Sequence, residues 1–120
     1  MKQHIAGLSI GIAAGLVDCL IYRLSGMPIG IATAISGVAF WATVGWTIHM
    51  THWSLPGYLR GILISLFFNV PWIAEFVGNQ GLSDLLLPVL IVGTVMGAVL
   101  GAISQRLSRL AREGGRAIEA

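Results

Sequence analysis

Four runs of apolar residues follow one another along the chain, separated by short clusters of glycine, proline and polar residues. A helix needs about 20 mostly apolar residues to cross about 30 Å of hydrocarbon. Residues 5–24, 28–48 and 85–105 meet that requirement, with Asp18 and Arg23 as their only charges. Residues 57–77 meet it less cleanly, because Arg60 and Glu75 leave only 61–74 uncharged between them. Snorkelling of both side chains toward the ends lets this run cross as well. The links at 25–27, 51–56 and 78–83 are too short for anything but antiparallel neighbours. The pattern predicts an all-α, integral membrane four-helix bundle, up-down-up-down, forming one transmembrane domain with a basic tail at 106–120.

Composition sharpens this picture. Of the 120 residues 56% are hydrophobic and 10% charged, against about 25% charged in a soluble domain. Mean hydropathy is +0.85, which also excludes a disordered chain, since disorder requires low hydrophobicity and high charge. The opening Met1-Lys2-Gln3-His4 before an apolar run has the look of a signal peptide. Asp18 interrupts that run, however, and no small-x-small cleavage pattern follows before Pro28, so it reads as a membrane helix. Cys19 is the single cysteine and has no intrachain partner. It reads as a small core residue.

The net charge of +2 matters less than its placement. If all four runs cross, Lys2, Arg60, Arg106, Arg109, Arg112 and Arg116 share one side and Arg23 stands alone on the other. Lysine and arginine gather on the cytoplasmic face, so both termini are expected in the cytoplasm, at a bacterial inner membrane. Trp53 and Tyr58 fall where an aromatic belt belongs. Arg106, Arg109, Arg112 and Arg116 lie on a continuation of the fourth helix that Gly114-Gly115 should end. Arginines just outside a span attract anionic lipid, and that partner is preferred over nucleic acid.

Glycines form the clearest repeat. Gly7, Gly11 and Gly15 recur every four residues on the first helix, and Gly93, Gly97 and Gly101 do so on the fourth. Lipid gives helices no hydrophobic reason to associate, so small residues that allow close backbone approach supply helix-packing faces. Matching depth pairs Gly7 with Gly101, Gly11 with Gly97 and Gly15 with Gly93, within one subunit or between two.

The polar residues inside the spans are the candidate chemistry. A carboxylate at Asp18 costs on the order of 3 kcal/mol on insertion scales and calls for a protein or water partner. Its spacing places it on the Gly7, Gly11, Gly15 face, with Tyr22 one turn on. On the third helix Pro71 removes a hydrogen bond from the carbonyl of Phe67 and should bend the helix, beside Asn69, Trp72 and Glu75. Asp18, Tyr22, Asn69, Trp72 and Glu75 make up a candidate ion or substrate site, and Asp18, Glu75, Asp84 and Arg23 a candidate outer-leaflet cluster. The competing reading of Asp18 is an interhelical hydrogen bond to helix four, around residues 90–94.

Other features carry less. His4, His49 and His52 fall at one interface, but no cysteine pair, H-E-x-x-H motif or nearby carboxylate accompanies them, so neither a metal nor any other cofactor is expected. Thr33, Ser36, Thr43 and Thr47 suggest hydrogen bonding between helices. With no motif for a reaction, the expected function is non-enzymatic: a helix-packing membrane module that assembles through its glycine stripes, acting as a homo-oligomer or as an accessory subunit of a larger partner. The alternative is a small proton- or cation-coupled transporter or channel using Asp18 and Glu75.

Overall fold

The computed structural model describes residues 1–119. It holds four long helices, α1 (Lys2–Leu24), α2 (Ile31–Met50), α3 (Gly57–Ile73) and α4 (Leu86–Glu119), and no strand among the described residues. α3 continues as a π-helical stretch, Ala74–Asn79, and a 3-10 turn, Ser83–Leu85, leads into α4. Gly57–Asn79, the doubtful third run, is thereby as long and apolar as a membrane crossing requires, like the other three.

Local chemistry sets the helix ends. α1 stops where Gly26 takes φ +76°, a conformation only glycine adopts without strain. The amide of Met27 then reaches back to the carbonyl of Tyr22 at 3.2 Å. α2 begins at Ile31 and not at the expected 28, because Gly30 just before it is extended (φ −74°, ψ 160°). α4 runs through Gly114 and Gly115, where the sequence suggested a stop. Neither glycine takes positive φ, so their weak helix propensity costs about 1 kcal/mol each without turning the chain. Of the expected tail, Ala120 lies outside the described residues.

Past Pro71, where the sequence predicts a bend, the hydrogen-bond register changes. Helical winding persists to Ile73 and then widens, with the amide of Gln80 bonding the carbonyl of Glu75, five residues back, at 3.0 Å. Proline's missing N–H loosens the ladder, and a π-helical turn absorbs the register change. The helices group as two compact units: Met1–His52, which holds α1 and α2, and a second that begins at Trp53 and holds α3 and α4.

Within each unit glycine sets the helix separation. A Cβ added to Gly45 on α2 would lie 2.5 Å from the Cα of Gly11, and one on Gly15 would lie 2.6 Å from the Cα of Val38. On α4 a Cβ at Gly97 would sit 2.6 Å from the carbonyl oxygen of Gly61, and one at Gly101 would meet the carbonyl oxygen of Gly57 more closely still. The expected depth pairing of Gly7 with Gly101, Gly11 with Gly97 and Gly15 with Gly93 is therefore corrected. The α1 stripe is filled by Trp41, Ala42, Gly45 and Trp46, and the α4 stripe by Gly57, Gly61, Ser65 and Asn69. Sequence neighbours meet first, because short links keep them antiparallel and adjacent.

Candidate functional site

Asp18 lies on the buried face of α1, 8% exposed. The Trp41 indole Nε1–H donates to its Oδ2 at 2.9 Å. Oδ1 is buried with no hydrogen-bond partner. The partner is thus on α2, correcting the expectation of one on helix four, and its cause is the same hairpin packing that seats Gly15 against Val38 and Trp41. Tyr22 follows one turn later and is half-buried. Cys19 places its Sγ 3.7 Å from the carbonyl of Ala34.

The second group of candidates is dispersed along α3. Asn69 is buried, its Nδ2 donates to the Ser65 carbonyl at 2.8 Å, and it packs against Gly93. Trp72 stacks on Phe76 with ring centroids 5.6 Å apart. Glu75 is exposed and accepts from Asn79 Nδ2 at 2.7 Å and Gln80 Nε2 at 3.0 Å. These carboxamides close the π-helical turn around its carboxylate. Asp18 and Glu75 each bond inside their own unit, Arg23 is exposed, and Asp84 is exposed on the 3-10 turn.

The histidines and hydroxyls find separate partners. Trp46 Nε1–H donates to His4 Nδ1 at 3.0 Å, with the two rings stacked. His49 is buried where α2 meets Gly7, and His52 is exposed. No group of three or more His, Cys, Asp or Glu side chains could hold a metal ion among the described residues. Thr43 and Thr47 donate to the carbonyls of Ala39 and Thr43, four residues back on their own helix, and Thr33 and Ser36 are exposed. For Thr43 and Thr47 this back-bonding, the local outlet for a hydroxyl in apolar surroundings, takes the place of the expected bonding between helices.

Around α3 lie polar residues that the sequence reading passed over, Gln105, Ser65 and Ser104, and one, Arg60, that it expected to snorkel. Gln105 Oε1 accepts the first-turn amide of Gly57 at 3.0 Å, so α4 caps α3. Arg60 is 8% exposed and its Nε has no partner. Ser65 and Ser104 are fully buried, and the Ser65 hydroxyl has no partner. A signal for this face was present: Gly57, Gly61, Ser65 and Asn69 recur every four residues. No family model, curated protein or solved structure matches the chain.

Proposed function

We propose that the chain is a small polytopic membrane protein that works without catalysis, as a helix-packing module acting as a homo-oligomer or as an accessory subunit of a larger membrane partner. In this reading the spans form an up-down-up-down bundle in a bacterial inner membrane with both termini cytoplasmic, and the tail arginines contact anionic lipid. One observation carries it: three polar side chains inside the spans join the two helices of a hairpin, Asp18 through its bond from Trp41, Gln105 through its bond from Gly57, and Asn69 through its contact with Gly93. Both glycine stripes are used inside the hairpins as well. Association then falls to the outer faces, where Leu63 and Val95 are exposed. The test is disulfide crosslinking in native membranes of single cysteines at Leu63 or Val95, in a Cys19→Ser background. Crosslinked dimers or a larger adduct support the reading, and monomers alone at every outward position overturn it.

One observation favours the second reading, a small proton- or cation-coupled transporter or channel. Asp18 keeps a buried, unpartnered Oδ1, and an ionisable group inside a span is functional until a structural partner accounts for it. Trp41 accounts for one oxygen of the two.

A further inference from the structure

Arg60 is the charge that the packing of α3 leaves unanswered. The side chain is more than nine-tenths buried. Nε is buried without a partner, and the guanidinium has no hydrogen bond or ion pair among the described residues. Its two Nη atoms, equally unpaired, are not among the buried unpaired atoms, so the tip of the fork is what reaches the surface. An arginine does not escape such a site by losing its proton, and its buried Nε–H is a donor whose desolvation no acceptor among the described residues offsets. The position calls for an anion from outside the chain.

The surroundings fit one kind of anion. Arg60 is the fourth residue of α3, and helical side chains lean toward the helix N-terminus. That terminus has two of its first amides engaged, Gly57 on Gln105 Oε1 and Arg60 on the Pro56 carbonyl. Tyr58 and Leu59 lie between them, with no helical carbonyl four residues back to accept from their amides. The Gly57–Gln105 bond brings the adjoining α4 turn to the same end, where Arg106 and Arg109 are exposed. Residues 51–60 and 101–112 contain no Asp or Glu. Tyr58 is half exposed on the same first turn, as suits an interfacial aromatic.

We propose that this end of the α3–α4 hairpin binds a phosphate-bearing anion, supplied by the headgroup phosphodiester of an acidic phospholipid. The planar guanidinium fork matches two phosphate oxygens, the helix terminus offers amides to the same group, and Arg106 and Arg109 draw it in from a distance. Arg60 and the α3 terminus would hold one headgroup in place, which the diffuse attraction of the tail arginines alone does not. It stands independently of the assembly reading.

The test uses the full chain, delipidated in neutral detergent, with thermal unfolding followed on addition of phosphatidylglycerol, phosphatidylcholine or inorganic phosphate. Phosphatidylglycerol is expected to raise the melting temperature saturably while phosphatidylcholine does not. A charge-assisted hydrogen bond is worth about tenfold or more in affinity. Arg60→Gln, checked for fold by circular dichroism, should therefore weaken phosphatidylglycerol binding by at least that factor. A shift with inorganic phosphate that Arg60→Gln abolishes supports the site with a soluble anion as its source. Equal shifts with both lipids, or a wild-type response in Arg60→Gln, overturn the proposal. Should Arg60→Gln fail to fold, Arg60→Lys keeps the charge and loses the fork. Weakened phosphatidylglycerol binding in that variant supports the proposal, and unchanged affinity overturns it.

Discussion

Trp41 donates its indole N–H to one oxygen of Asp18 and leaves the other oxygen buried and unpartnered. The bond ties α1 to α2 at the end of the seam that Gly7, Gly11 and Gly15 open. Removing one partner of a buried pair costs more than the bond was worth, because the remaining group keeps its desolvation penalty. Trp41→Phe should therefore destabilise the α1–α2 hairpin by about 3 kcal/mol or more, including the lost packing. Asp18→Asn keeps an acceptor for the indole and should change stability by less than about 1 kcal/mol. Reversible unfolding in mixed micelles reads both. The same Asp18→Asn protein in vesicles separates the two functional readings: loss of a pH-driven wild-type flux supports transport, and a wild type that moves no ion across a broad panel removes it.

The glycines divide into two classes that substitution distinguishes. At Gly11, Gly45, Gly61 and Gly101 an added methyl meets backbone atoms of the facing helix, which cannot rotate away. Overpacking costs typically about 1–3 kcal/mol where side chains can adjust, so Gly11→Leu or Gly61→Leu should exceed that range and prevent hairpin folding. Gly30 and Gly78 have nothing within 4 Å and ordinary backbone angles, and alanine there should be neutral within about 0.5 kcal/mol. Protease resistance in membranes ranks the set. Equal tolerance of Gly61→Leu and Gly78→Ala would contradict the observed seam.

The four helices long and apolar enough to cross a membrane were legible because hydrocarbon thickness imposes a length and a composition that a crossing sequence must meet. The glycine faces were legible as packing faces, but their partners were not. Depth matching pairs first and fourth helices as readily as adjacent ones, and periodicity says nothing about which face opposes which. Trp41 was passed over for a related reason. An indole inside an apolar run looks like bulk, and only the register that puts Gly15 against Val38 and Trp41 brings its N–H to Asp18. Arg60 was read as a snorkelling side chain at an interface, the commonest fate of such a residue, and its burial depends on tertiary packing that no local pattern carries. The widening after Pro71 was not legible, because proline loosens a helix without dictating how the slack is absorbed.

Ser65 offers a substitution of the opposite sign. Its side chain is fully buried against Gly97 and its hydroxyl has no partner, while its carbonyl holds Asn69. Ser65→Ala removes the unsatisfied group and keeps both the Cβ contact and the carbonyl. An unpaired buried hydroxyl costs about 1–3 kcal/mol, so the variant should raise the stability of the α3–α4 hairpin by about 1 kcal/mol. A thermal midpoint below that of the wild type would mean that the hydroxyl is bonded in the membrane.

The proposed orientation rests on where the charges fall along the four helices that are long and apolar enough to cross. Asn79 ends the π-helical stretch and Ser108 lies on α4 beyond its apolar part. Between them α4 makes one passage, so cysteines at the two positions, in a Cys19→Ser background, should react from opposite sides of the membrane. In the proposed topology, the excess of lysine and arginine near Lys2, Arg60 and the α4 extension puts Ser108 in the cytoplasm. An impermeant maleimide added to intact cells should label Asn79→Cys and spare Ser108→Cys until the cells are opened. Labelling of both from outside would remove the fourth crossing, and the reverse pattern would invert the protein. Reversal would also be informative about Arg60. Its headgroup site would then face the outer leaflet, and the charge rule would have been overridden by the burial of one of the arginines it counts.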